Sequence, residues 1–254
     1  ENWEQPDQPY DYQNYSGYVH NAFRGYVSLG LFRDEVDVKQ SPRQTFGEYT
    51  VGDIKYKDVN ADGIVDDDDK VPLSYPNYPR LMYGFASELR WKDLSLGVMF
   101  KGTGNTDYYY VNGTTNGEGY IPFYNGATGN VLTIVANDKN RWIPESYSGT
   151  KATENPNALF PRLSYGKNSN NTQYSTFWKA NSRYLRLQEV NVNYRVNPGR
   201  FLKTLGVSSM DLQLVMNNLA VWSPFKLWDP EQAEYNGGAY PIPTTYALQV
   251  YINF

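Results

Sequence analysis

The sequence predicts an all-β fold of antiparallel strands, on three observations. Aromatic residues make up 16% of the 254 residues, with 24 Tyr, 11 Phe and 6 Trp, and flat rings pack well on a pleated surface. Several stretches alternate apolar and polar side chains with a period of two. The joints between those stretches are alternately minimal and long.

The elements follow in chain order. "GYVSLGLF", residues 25–32, is a first extended stretch. "LMYGFASELRW" and "LSLGVMFKG" predict a tight hairpin joined by Lys92 and Asp93. Leu81, Tyr83, Phe85, Leu89 and Trp91 share one face, which Leu94, Leu96, Val98 and Phe100 continue, with Glu88, Arg90 and Lys101 opposite. "RYLRLQEVNVNYRV" alternates with a change of phase: Leu185 and Leu187 are odd, whereas Val190, Val192, Tyr194 and Val196 are even. Either a bulge lies near Gln188 and Glu189, or one half faces differently. In "SSMDLQLVMNN" Met210, Leu212, Leu214 and Met216 share a face. In "TTYALQVYINF" Tyr246, Leu248, Val250, Ile252 and Phe254 do the same. About six strands of roughly 10 residues are expected, the length of a tilted strand crossing a bilayer.

The joint "NPGRFLKTLGVSS" predicts about one helical turn, and Lys92–Asp93 is minimal. The others span residues 31–79, residues 105–180 with a helix around "NVLTIVANDKNRW", and "SPFKLWDPEQAEYNGGAYPIP". Loops this long are uncommon in a compact soluble domain. Short turns at one end and long loops at the other suit an outer-membrane barrel. No apolar run approaches the roughly 18 residues of a membrane-spanning helix, and the negative mean hydropathy is no objection, because barrel strands are only half apolar.

Composition excludes several chemistries. With no Cys there are no disulfides, thiolate zinc sites or cysteine nucleophiles. The single histidine, His20, rules out multi-histidine metal sites. A net charge of −4 gives no basic field for nucleic acid. "GTGNTD" lacks the following helix of a phosphate loop, and the sequons at Asn112 and Asn170 carry no meaning in a bacterial source.

One motif asks for chemistry. "DVNADGIVDDDDK", residues 58–70, has the spacing of a calcium loop: Asp58, Asn60 and Asp62 at positions 1, 3 and 5, Gly63 at 6, Asp69 at 12. Ile64 would contribute its backbone carbonyl and Asp66 a direct or water-mediated contact. Hard oxygens at this spacing suit Ca²⁺ rather than a transition metal. The plainer reading is a solvated acidic turn. No helix flanks the motif, so a bound ion would stiffen an excursion between strands. The aromatic residues Trp91, Tyr194, Tyr246 and Phe254 could stack on sugars, but their positions on strand faces favour contact with lipid or headgroups. The tyrosine-rich "DYYYVNGTTNGEGYIPFY" suits ligand stacking, lid contact or ordinary loop packing.

Several segments, in order, resemble SusC/RagA-type TonB-dependent outer-membrane transporters near their C-terminus. They are "GDIKYKDVNADGIVDDDDKVPL", "YPRLMYGFASELRWKDLSLGVMFKG", "RYLRLQEVNVNYRV", "FLKTLG", "NNLAVW", "DPE" and "YPIPTTYALQVYINF". The resemblance covers residues 25–254. It implies a 22-stranded barrel with an N-terminal plug, here represented by its C-terminal portion, residues 1–254, with residues 31–79 as an extracellular loop. It also implies partners: the remaining part of the same barrel, a SusD-like surface lipoprotein over the mouth, TonB acting through the N-terminal region, and outer-membrane lipid. The transported substrate would be an oligosaccharide or peptide, with no nucleic acid involved. Phe254 would then sit at the periplasmic rim with the short joints, and every long loop would be extracellular. Six strands cannot close a barrel, so this strand set needs the others beside it.

Two other functions compete. A secreted, calcium-stabilised β-sandwich that binds glycans would need a closed core between two sheets. A glycosidase would need paired carboxylates such as Asp229 with Glu231 or Glu234, but "DPE" matches the transporter motif. Transport without bond-making is the leading expectation, and no catalytic residue is expected.

Overall fold

The five longest strands of the computed structural model pair in chain order as one antiparallel meander: β1 (Leu81–Trp91), β2 (Leu94–Gly104), β3 (Tyr184–Val196), β4 (Ser209–Trp222) and β5 (Thr245–Asn253). The structure describes residues 8–76, 78–109, 133–164, 168–235 and 239–254. The two-residue link of the β1–β2 hairpin holds Lys92 at φ 54, with its ammonium 5.1 Å above the Trp91 ring. Residues 197–208 contain one short helix, Arg200–Thr204. Ser208 donates its backbone N–H to Asn253 O, so the end of β5 lies at the end of the sheet that carries the short joints, as expected.

The change of phase in β3 is a bulge. Leu187 pairs with Phe100 and Glu189 with Met99, which leaves Gln188 extra against β2. On the other side, Leu187 pairs with Ala220 and Glu189 with Asn217. Two β4 residues therefore oppose Gln188, and one of them, Asn218, turns through φ 56. The bulge puts Leu185, Leu187, Val190, Val192 and Tyr194 on one face, the same face as the apolar sets of β2 and β4.

The stretch at residues 25–32 does not join this meander. Ser28–Leu31 pairs with Ile54–Tyr56 in a second unit built from residues 1–77 and 107–180. Five strands rather than six therefore belong to the wall-like sheet. The two long joints expected at 31–79 and 105–180 fold together into this second unit. Its strands are only two to four residues long: Arg24–Gly25 with Val71–Pro72, Arg43–Gln44 with Ile64–Val65, Asp107–Tyr109 with Lys179–Asn181. Its core gathers Tyr26, Ile54, Tyr56, Val65, Val135, Trp142, Phe160 and Trp178 from across the segment. Gly52, at φ 83, is needed there, because a Cβ would come within 2.3 Å of the Trp142 ring. Within the described residues the expected helix covers Thr133–Ala136, and residues 110–132, with most of the tyrosine-rich stretch and Asn112, lie outside the described residues.

Polar side chains hold this core as much as apolar ones do. Gln44 donates to Ile54 O, and its own carbonyl accepts the Tyr56 N–H. Asn170 donates to Ile54 O while its backbone carbonyl accepts the Tyr56 hydroxyl at 2.7 Å. Asn171 accepts the Ile54 N–H and takes the Trp178 indole N–H on its carbonyl. Asp53, with no exposed surface, accepts from Thr50 N, Arg162 Nη2, Asn168 Nδ2 and Asn171 Nδ2 at 2.8–3.0 Å. A segment with little regular structure must satisfy its buried backbone groups by such side-chain bonds.

Candidate functional site

Pairing registers sort the side chains of the meander into two faces. Leu81, Phe85, Leu89 and Trp91 stand opposite Gly104, Phe100, Leu96 and Leu94. Leu94, Leu96 and Val98 stand beside Tyr194, Val192 and Val190 of β3. These in turn meet Leu212, Leu214 and Met216 of β4, which pair with Val250, Leu248 and Tyr246 of β5. One face of five strands is thus apolar but for Ser87, and its outer members, among them Leu89, Trp91 and Leu248, are largely exposed. The other face carries Glu88, Arg90, Ser95, Lys101, Arg186, Asn191, Asn193, Asp211, Gln213 and Gln249, interrupted by Met82, Met99, Val215 and Tyr251. Every other sheet among the described residues has two strands, so no second broad sheet exists there to close a sandwich core.

The polar face gathers charge where the long joints leave it. Lys101, Arg186 and Val221 stand in one row across β2, β3 and β4. Arg186, 2% exposed, places Nη2 on both Asp229 carboxylate oxygens, at 2.5 and 2.6 Å. Its Nε lies 3.4 Å from Glu231, which takes the Lys101 ammonium at 2.7 Å. Asp229 also accepts the Glu231 N–H at 3.0 Å. The "DPE" segment is therefore clamped onto the polar face by three ion pairs. Both carboxylates that a glycosidase would use are engaged by cations. Glu234 has no described side chain.

The acidic loop is ordered by its own backbone. Asp58 accepts from Ala61 N and Gly63 N at 2.6 and 2.8 Å, with Ala61 at φ 61 and Gly63 at φ 87. Asp62 accepts from Ile64 N and Asn60 Nδ2, and Asn60 from Asp62 N. Asp66 caps the short helical turn Asp67–Asp69, and fully buried Asp69 accepts from Val59 N and Asp66 N. The run of aspartates thus has a local structural reason, since short acidic side chains cap helical turns. Lys70 holds Asp67 below the usual carboxylate range, helped by a hydrogen bond from Tyr26, whose own hydroxyl is pushed up by burial and by Asp67. The six expected ligands, Asp58, Asn60, Asp62, Ile64, Asp66 and Asp69, share one loop. Their oxygens are hard donors with lone pairs to spare beyond these bonds. Among the described residues, however, no three acidic or histidine side chains converge as a ligand group.

Sequence reasoning missed two features here. Residues 10–13 lie against the acidic loop: the Tyr12 hydroxyl donates to Asp68 O at 2.7 Å, Gln13 Nε2 to Asp68 Oδ1, and Asn60 Nδ2 to the Tyr10 hydroxyl. The Arg186–Asp229 pair was also not foreseen, although an arginine among polar-face positions of a strand is a signal for a buried partner.

A single-layer antiparallel sheet with one uncovered apolar face is the wall of a large β-barrel. No family model matches the chain. It is 28% identical over 245 residues to TonB-dependent receptor P26 of Formosa agariphila, covering 92% of this chain and 22% of that protein. Its fold is similar to the RagAB peptide transporter (TM-score 0.61, 17% identity, 92% and 22% covered). The RagAB peptide importer in its closed-closed state is similar too (TM-score 0.57, 18% identity, 92% and 23% covered). The chain spans about a fifth of the length of these relatives. The chain is thus similar to part of a TonB-dependent receptor, and its fold to part of the RagAB transporter, in line with the resemblance carried by the order of motifs.

Proposed function

We propose that the chain forms part of the wall and external loops of a TonB-dependent outer-membrane importer. The observation that carries this reading is the pairing register, which assembles the apolar side chains of five strands on one uncovered face. Lipid is the environment that such a face suits, with the polar face turned to the lumen. No helix among the described residues is long and apolar enough to cross a membrane, so strands would do the crossing. The solute is an oligosaccharide or a peptide, and the names of the RagAB neighbours support the peptide. It crosses unchanged, energised through TonB, under a SusD-like lipoprotein lid. The acidic loop, on this reading, takes one Ca²⁺ that stiffens the external unit.

The test is membrane fractionation and solute uptake with the intact protein. It should be found in the outer membrane, need detergent to stay monodisperse and migrate differently before and after boiling. A monodisperse detergent-free protein would instead support the secreted glycan-binding sandwich.

A further inference from the structure

The described residues that follow β4 line two cavities beside the polar face. A cavity of about 340 Å³ is lined by Val221, Phe225, Lys226, Trp228, Asp229 and Pro230. A second, of about 190 Å³, shares Trp228 and Asp229 and adds Gln232 and Pro241. The larger is at the lower end of the roughly 300–1,000 Å³ of small-molecule sites. Its walls are anchored. The Ser223 hydroxyl donates to Arg183 O and accepts the Phe225 N–H, the Phe225 and Trp228 rings meet edge to face at 5.1 Å, and Asp229 is clamped by Arg186.

The charges around this cavity are unequal. Asp229 and Glu231 are matched by Arg186 and Lys101. Lys226 is exposed and has no ion pair or hydrogen bond among the described residues. The cavity therefore offers apolar and aromatic walls and one uncompensated ammonium. A sugar would fit poorly, because each ring brings several hydroxyls, and the polar groups of the lining are already engaged. An apolar side chain beside a carboxylate matches both the walls and the charge.

We propose that this cavity binds the C-terminal residue of a peptide, with the terminal carboxylate on Lys226 and an apolar last side chain against Phe225 and Trp228. This rests on the importer reading and deepens it by assigning an end-group contact where the lumen meets the external loops.

The test is calorimetry on the intact protein in detergent with acetyl-Ala-Ala-Phe as the free acid and as its amide. The acid should bind about tenfold tighter than the amide. Lys226→Gln should remove that difference while leaving the amide unchanged, and Trp228→Ala should weaken both. Equal binding of acid and amide, an unaffected Lys226→Gln, no binding of either, or binding of a uronic-acid oligosaccharide in their place would each overturn the proposal. Outer-membrane location and heat-dependent migration, measured on the same preparation, report on the importer reading separately.

Discussion

Replacing Asp53 by Ala should unfold the second unit and leave the five-stranded sheet paired. Asp53 is wholly buried and accepts from the Thr50 N–H, the Arg162 guanidinium and the side-chain amides of Asn168 and Asn171. Removing one partner of a buried ion pair costs about 3–5 kcal/mol. The Arg162 side chain is 26% exposed and can recover some hydration, which points to the lower end. Against that, Asn168 and Asn171 are both buried and each loses an acceptor, at about 1–3 kcal/mol per stranded donor. These terms overlap, and a loss of about 4 kcal/mol is expected. That is a large share of the 5–15 kcal/mol by which domains are stable. Asp53→Asn keeps the shape but turns an amide donor toward other donors, so an intermediate loss is expected. Hydrogen exchange resolved by peptide in the intact protein is the assay: protection should fall around residues 50–57 and 168–178 and persist in β3 and β4. Unchanged protection at residues 50–57 in Asp53→Ala would show that the carboxylate does not organise the unit.

Val250→Arg, on the apolar face of β5, should cost roughly 2–4 kcal/mol if it lies near the bilayer midplane and reduce the heat-modifiable form, whereas neighbouring Gln249→Arg should assemble normally. One equivalent of Ca²⁺ should bind in calorimetry with the intact protein and be lost in Asp62→Ala; an identical isotherm for both proteins would end the calcium proposal. Asp37 predicts acid sensitivity. Burial, the largest influence, raises its affinity for protons, but bonds from Lys55 at 2.7 Å and the Arg33 N–H, with the charges of both residues, outweigh it and hold its pKa low. Its contribution is therefore present above the unfolded value of about 3.9 and lost as pH falls through the lower folded value. Exchange protection of the helix Glu35–Gln40 should drop in that window, and Lys55→Gln should shift the drop to higher pH.

The five meander strands were legible because each is long enough for several turns of alternation, and a two-faced sheet imposes the period of two strictly. The bulge was legible as a parity change, since Leu187 and Val190 are an odd number of residues apart yet equally apolar. The second unit was not legible, for a physical reason. Its core residues, such as Ile54, Val65, Val135 and Phe160, sit in strands of two or three residues or in none, too short to show any period. Gln44, Asn170 and Asn171 read as surface loop, although they are buried substitutes for a hydrogen-bonded ladder. In the acidic loop, the oxygens were readable but not their orientation. Asp69, placed last in the ligand series, spends its carboxylate on two backbone N–H groups.

The bulge at Gln188 also bears on how such a wall changes over time. Inserting one residue into a two-faced strand ordinarily rotates everything beyond it by half a turn, which would turn apolar side chains toward the lumen. Here β3 carries one residue more than β2, and β4 answers with the extra length at Asn218. The insertion is absorbed locally, and both sides of it keep their outward set. A wall of this kind therefore holds one extra residue at this height without re-sorting its faces.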